Sequence, residues 1–402
     1  MAASYLDDFE PCDVFVVGAA LTGLCAAIGL ARAGFSVVSC GAADRLGHGR
    51  TVALLGRSID FLRDLEVWGD IEPLAAPLRS LRIVDDTGSL FPARPVAFHA
   101  DEIGLEAFGW NIENAVLAER LAVAAGRQNH LQRIDSKVVD FDFAGGRARL
   151  RLADGRGFAP RLVVGADGRN SVARKAAGLE ARTHSYPQSA LTVFLEHTRS
   201  HEDYSTEFHT HAGPFTLVPL PPTPNPRFRS SLVWVMSPAE AERRALLDDL
   251  ALSGEIERQA RSMLGAVRIE GGRGVFPMSR QIVSRLVAPR LALVGDAAHG
   301  FPPIGAQGLN LGLRDVRGII EAAREAKANG ADIGGEAALD AYQRARRPDI
   351  AMRTLAVDGL NRSLLAHFAP IDAARAVGLA ALGSVGPLRR MVMREGVAPL
   401  LG

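Results

Sequence analysis

From Val14 to Ala31 the chain runs eighteen residues without a charge, and Gly18, Gly23 and Gly29 lie inside that run. A stretch this long and this apolar suits either a bilayer or the buried centre of an α/β domain. The opening VFVV is β-branched and aromatic, glycines punctuate the residues after it, and a second strand-like run, FSVVSC, comes next. That alternation argues against a membrane span. DVFVVGAALTGLCAAIGLARAGFSVVSC reads instead as a strand at 14–17, a turn at 18–22, a helix from about 22 to 33 and a strand at 35–40, the opening of a βαβ unit. The small residues Cys25, Ala26, Ala27 and Gly29 let that helix press closely on a sheet.

The turn carries a recognisable chemistry. In the dinucleotide pattern G-x-G-x-x-G the first glycine makes the turn, the second admits a pyrophosphate and the third lets helix and strand touch. Here those positions hold Gly18, Ala20 and Gly23, so the middle one has gained a methyl group. Leu21 and Thr22 open the helix, whose free N–H groups and positive end favour a phosphate. The acid expected at the end of the second strand, to hold a ribose, falls on Gly41, and Asp44 is the nearest substitute.

Composition narrows the class. The chain has 402 residues, 48% of them hydrophobic and 23% charged, the profile of a soluble globular protein with room for two or three domains. A formal net charge of +1 offers no field for nucleic acid. Cys12, Cys25 and Cys40 show neither metal spacing nor an even framework and fit a reducing compartment. The N-terminal MAASYLDDFEPCD has acids but no lysine or arginine, unlike a secretory leader, so a cytoplasmic location is expected.

Two further strand exits share the first one's character. RLVVGADGRNSVARKAAGL (161–179) is a short buried strand, a turn at Asp167-Gly168 and a helix. RLALVGDAAHGFPPIGAQGLNLGLRD (290–315) places Asp296 directly after an apolar strand, then runs through Gly, Pro and Ala before a helical pattern resumes. With GAALTG, GADGRNSVAR and GDAAHGFPPIGAQGLNLGLRD in this order, the chain resembles the FAD-dependent aromatic hydroxylases of the p-hydroxybenzoate hydroxylase type. WNIENAVL (110–117), GPFTLVPL (213–220), RRPDIAMRTLAVDGLNRSLL (346–365) and GPLRRMVMREGVAP (386–399) make it most similar to the ubiquinone-biosynthesis hydroxylases, over nearly its whole length.

The resemblance implies an α/β fold: a Rossmann-like FAD-binding domain, an inserted antiparallel β-sheet substrate domain and C-terminal helices. The expected FAD-binding domain is discontinuous (1–78, 101–183 and 276–345), the substrate sheet comprises 79–100 and 184–275, and the helical region runs 346–402. By the same resemblance FAD contacts come from Gly18, Leu21, Thr22, Gly23, Asp44, Arg50, Asp167, Gly168, Asp296, Pro303, Gly305, Gln307, Gly308, Leu309 and Asn310. Asp296 is expected on a ribityl hydroxyl, and the loop 302–308 under the isoalloxazine. Asp167 and Gly168 are expected on the pyrophosphate side, where they also assist NADPH. The helix near Leu309 and Asn310 would aim its N–H groups at the flavin edge that carries charge when reduced.

The implied reaction uses NAD(P)H and O₂, through a flavin C4a-hydroperoxide, to hydroxylate a polyprenyl phenol on the route to ubiquinone. No side chain stands out as the phenol-activating base, and no metal set is evident. In FHTHAG, His209 and His211 share one face of a strand, a pattern that fits a polar face better than a metal site. The Arg-rich tail, with Arg389, Arg390 and Arg394 beside apolar stretches, points to peripheral contact with the inner membrane or with a ubiquinone-synthesis protein assembly. Ala20, Gly41 and Ala115 depart from the family pattern and weaken the expected grip on FAD. Two alternatives stay open: a non-catalytic scaffold of such an assembly, and a flavin hydroxylase of another phenol.

Overall fold

The structure is a computed structural model that describes residues 9–41, 50–88, 94–223, 227–302, 307–365 and 386–397. The uncharged run becomes strand β1 (Glu10–Val17) and helix α1 (Leu21–Arg32), followed by β2 (Val37–Cys40). Every residue of α1 from Gly23 to Ala31 is buried. Gly29 makes that possible, because a Cβ there would stand 2.4 Å from Ile320 Cδ1 of the facing helix. Then come β3 (Thr51–Leu55), β4 (Ser80–Asp86), β5 (Val96–His99) and β6 (Gly109–Glu113), leading into α2 (Asn114–Gly126) and β7 (Leu131–Ile134). The second strand exit is β8 (Gly157–Gly165) followed by the short helix α3 (Val172–Ala176).

The middle of the chain forms β9 (Ala181–His197), β10 (Tyr204–Thr210), β11 (Gly213–Leu220) and β12 (Phe228–Met236). Helices α4 (Pro238–Ala245) and α5 (Asp249–Gln259) follow, then β13 (Val267–Val283). The third strand exit is β14 (Leu291–Leu293), with β15 (His299–Gly300) just beyond. Helices α6 (Gln307–Ala328), α7 (Glu336–Leu365) and α8 (Gly386–Val397) close the chain. Among the described residues no helix is long and apolar enough to cross a membrane.

Two large sheets organise these elements. In the first, β14, β8, β1, β2 and β7 lie side by side and parallel, so the three strand exits open at the same edge. In the second the order is β15-β13-β9-β12-β11-β10-β4-β5. All its pairs are antiparallel except β10 with β4, which run parallel. The 17-residue strands β9 and β13 run straight through positions 183/184 and 275/276, where domain limits were expected.

Alternation divides the second sheet into two faces. Leu191, Val193, Phe208, Phe215, Leu217, Leu232 and Trp234 pack under α4 and α5 against Ala241, Leu252 and Ile256. The other face turns toward a small three-stranded sheet that holds β3 and β6. There the Ser231 and Thr51 hydroxyls meet at 3.0 Å, and the Asn111 amide donates to Pro219 O at 2.8 Å. Arg229, buried on this face, bonds Glu270 through Nε at 2.7 Å and Glu113 through Nη2 at 2.9 Å, tying β12 to β13 and to β6.

Candidate functional site

The first turn is shaped by close approach. Gly18 has φ +121°, and a Cβ on it would lie 2.3 Å from Ala166 O; a Cβ on Gly23 would lie 2.1 Å from Gly18 O. Ala20, where the pattern has its middle glycine, is exposed with an extended backbone that any residue adopts, so the extra methyl group costs the loop nothing in conformation. Among the described residues no side chain caps α1, which leaves its first N–H groups for an anion. Gly41 is enclosed: a Cβ there would stand 2.6 Å from Ala19 N. The missing acid is thus a consequence of packing, since this turn leaves no room for a side chain at 41.

The second and third exits are joined by arginines that the sequence did not single out. Arg174 is buried and donates to Ala297 O at 2.8 Å and to Arg169 O at 2.7 Å. Arg169 donates to Ser279 Oγ at 2.8 Å and Phe301 O at 2.6 Å, and its Nε lies 3.5 Å from Asp296. Their place in GRNSVAR, at the strand exit beside the loop they clamp, was the available signal. Asp167 caps α3: one carboxylate oxygen accepts from Val172 N at 2.7 Å and Ala173 N at 3.1 Å, while Oδ1 is buried with no partner among the described residues. Gly168 turns with φ +78° and open space around it.

Asp296 sits in a single 3₁₀ turn (Gly295–Ala297) with its side chain 47% exposed. The turn rests on Asp315, which is fully buried and accepts from Gly295 N at 3.0 Å, His299 Nε2 at 2.5 Å and Arg346 Nε at 2.9 Å. Arg346 also bonds Asp349, which bonds Arg314. Burial alone would raise the Asp315 carboxyl, but the His299 and Arg346 charges outweigh it and hold it below the ordinary value. Thr22 packs under the same turn, 3.0 Å from where a Gly295 Cβ would be.

Asn310 is turned inward. Its Oδ1 accepts from Leu55 N at 2.9 Å and its Nδ2 donates to Ala53 O at 2.8 Å, so its side chain ties the start of α6 to β3. Leu309 and Gly308 stand half-buried in the first turn of α6, and Gln307 begins it. The Arg50 guanidinium lies 5.1 Å over the Phe276 ring, on the inward face of the second sheet. Asn114, whose N–H donates to Arg50 O at 3.0 Å, keeps a buried Oδ1 with no partner among the described residues, and its neighbour Ala115 is exposed. Asp44, Pro303 and Gly305 lie outside the described residues.

The histidine pair separates. His209 bonds Glu207 at 2.7 Å, while His211 lies in the turn after β10. Among the described residues no three His, Cys, Asp or Glu side chains gather as a metal set. Arg389, counted in the sequence with the free cations of the tail, is engaged: it bonds Glu102 at 2.6 Å and lies 4.6 Å over the Phe98 ring. Its contact pulls Glu102 down to about 2 and fastens α8 to the end of β5.

The edge therefore combines an uncapped helix N-terminus beside a glycine turn, a half-exposed carboxylate on a braced loop, and a second sheet facing both. That combination suits a long cofactor bearing a diphosphate and a polyol. Residues 11–356 match the family described as FAD binding domain. A ubiquinone hydroxylase of Rhodospirillum rubrum is 35% identical over 96% of this chain and 90% of its own length. The 3-demethoxyubiquinol 3-hydroxylase of Escherichia coli is 29% identical over 96% of this chain and 98% of its own. In fold, p-nitrophenol 4-monooxygenase of Pseudomonas putida superposes with a TM-score of 0.79 at 18% identity, covering 96% of this chain and 98% of that one.

Proposed function

This chain belongs to the FAD binding domain family, and from that membership we propose that it is an FAD-dependent monooxygenase hydroxylating the aromatic ring of a polyprenyl phenol in ubiquinone biosynthesis. The observation that carries the reading is the full-length similarity to two ubiquinone-ring hydroxylases, together with the edge that suits FAD. Bound FAD supplies electron transfer from NAD(P)H and activation of O₂. The protein supplies position, dryness and electrostatics.

Gly18, Leu21, Thr22 and Gly23 are proposed to hold the diphosphate at the open end of α1, with Asp44 near the adenosine ribose and Arg50 approaching from β3. Asp296 takes a ribityl hydroxyl. Pro303, Gly305, Gln307 and Gly308 border the flat ring, and the backbone of Leu309 and Asn310 faces its charged edge. Asp167 and Gly168 hold the neighbouring turn. The second sheet, which Arg229 ties to β6, closes the other side against water.

A polyprenyl chain is too apolar to travel free in water, at about 0.8 kcal/mol for each CH₂ buried. Peripheral contact with a membrane, or with an assembly that hands over the substrate, is therefore part of the proposal. On α8, Arg390 and Arg394 are exposed beside Met391, whose surface is 62% exposed, and these replace Arg389 as the residues for that contact.

The test is complementation. A host lacking its ubiquinone-ring hydroxylase should regain ubiquinone when it expresses this chain, and the purified protein should take up FAD. Reversing Arg390 and Arg394 to glutamate should lower the rescue and leave flavin content intact. A stable, flavin-loaded protein that restores no ubiquinone yet hydroxylates a small phenol overturns the substrate assignment. Failure to bind FAD leaves only a scaffold.

A further inference from the structure

The inward face of the second sheet holds buried polar atoms for which the described residues supply no partner. Register places Thr192, Val233, Thr216 and Glu207 in one row across β9, β12, β11 and β10. The adjacent row brings Phe276, Ala190 and Val235 toward Pro214 and His209. The centre of this floor is apolar, with Ala190, Val233 and Val235 packed beside Tyr186 and Met278. Its ends are polar. Thr192 Oγ1 at one end and His209 Nδ1 at the other are buried with no hydrogen-bond partner among the described residues. So is Oε1 of Gln188, whose Nε2 donates to Ala212 O at 3.0 Å. His209 is 6%, Thr192 5% and Gln188 3% exposed. Buried polar atoms in native proteins are partnered as a rule, so three along one floor point to a polar ligand that completes them.

Among these His209 has the chemistry of a base. Glu207 accepts from its Nε2 at 2.7 Å, and Thr216 Oγ1 donates to the other Glu207 oxygen at 3.3 Å. A carboxylate only accepts, so a ring hydrogen sits on Nε2, and in the neutral ring Nδ1 presents a lone pair. The row from Thr192 to Glu207 spans three strand spacings, roughly 14 Å at about 4.8 Å each, and its middle members Val233 and Thr216 are only half-buried, leaving a substituted ring a place above them.

We propose that the Glu207–His209 couple accepts the proton of the substrate's ring hydroxyl, with Gln188 and Thr192 bonding other oxygens on the ring. This assignment rests on the hydroxylase reading above. The O–H bond breaks, its proton goes to His209 Nδ1 and its electron pair stays on oxygen. The phenolate so formed enriches the ring carbons ortho and para to it, where oxygen is to be inserted. Glu207 holds the resulting imidazolium in place and, with its side chain 26% exposed, offers the proton a route to water.

The experiment uses the full, flavin-loaded chain and a short-chain prenyl phenol, followed by difference absorbance of the phenolate band. Bound to the wild type, the phenol should ionise at least one pH unit below its value in solution; bound to His209→Gln it should not, and Glu207→Gln should fall between. For an un-ionised phenol, His209→Gln should lower kcat/KM about a hundredfold or more. For an electron-poor phenol already ionised at the assay pH the loss should shrink to a few-fold. Equal ionisation in all three proteins, or a loss of one size for both phenols, overturns the assignment while leaving the hydroxylase reading intact. A wild type that neither binds nor hydroxylates any prenyl phenol overturns both. Should His209→Gln fail to fold, Glu207→Gln carries the same spectral comparison alone.

Discussion

Asp296 and Asp315 flank the same loop and differ in every physical respect. Asp296 is half exposed, with Arg169 3.5 Å away, so its removal leaves no buried charge behind. Asp296→Ala should weaken FAD binding by roughly 10- to 100-fold, the worth of one charge-assisted hydrogen bond, with the thermal midpoint of the flavin-free protein unchanged. Titration of the flavin-free protein with FAD measures it, and unchanged affinity would make the carboxylate a solvated turn residue. Asp315 lies at the other extreme, fully buried and held below the ordinary carboxylate value by His299 and Arg346. A group depressed in the folded chain adds stability at pH above its unfolded value, about 3.9, and that stability disappears as pH falls through the folded value. Asp315→Asn should therefore cost about 3–5 kcal/mol at neutral pH, because it leaves Arg346 and His299 incompletely matched. Its stability should also fall less steeply below about pH 4 than the wild type's. Parallel acid limbs in denaturant melts at several pH values would remove Asp315 from the linkage.

At the scale of elements, the ends of α1 and α3 differ. The first helix begins on Ala20 with nothing to cap it; the third has Ser171 accepting from Arg174 N at 2.9 Å and Asp167 accepting from two more N–H groups. An uncapped helix end at the edge of a parallel sheet invites a phosphate, and a doubly capped one does not. Asp167→Ala should lower the stability of the flavin-free protein by about 1 kcal/mol, read as a drop in thermal midpoint. A change in FAD affinity with no change in that midpoint would mean that the carboxylate serves the ligand and not the helix. The strand-turn-helix elements themselves were legible because their periods are local. The length of β9 and β13 was not, since Pro187, Gly271 and Gly274 interrupt both patterns and the strands resume pairing in shifted register beyond 186–188 and 271–272.

At the scale of the whole molecule, a buried arginine ties the second sheet to the small three-stranded sheet that holds β3 and β6. Arg229 joins Glu113 of the first half to Glu270 of the second sheet, and its side chain is only 9% exposed. Burial disfavours the guanidinium charge, but bonds to the two glutamates outweigh that and keep the arginine firmly protonated. Arg229→Gln strands two half-buried carboxylates and should cost about 3–5 kcal/mol, with the midpoint rising again when Glu113→Gln and Glu270→Gln are added. Additive losses in the three variants would show the groups to be independent.

By itself the sequence determined the parallel-sheet class, the three strand exits and the family, because hydrophobic period, glycine spacing and motif order are properties of neighbouring residues. It also carried Arg174 and Asp315 without revealing their work. Only tertiary structure decided that Asp315 of α6 would brace the turn holding Asp296, that Arg389 would bind Glu102 instead of facing water, and that Gly41 would have no space for an acid. It alone set Gln188 and Thr192, unpartnered among the described residues, on the same floor as the Glu207–His209 pair. The reason is physical: a charge or a missing side chain acquires meaning from what lies within a few ångströms of it, and those neighbours come from distant parts of the chain.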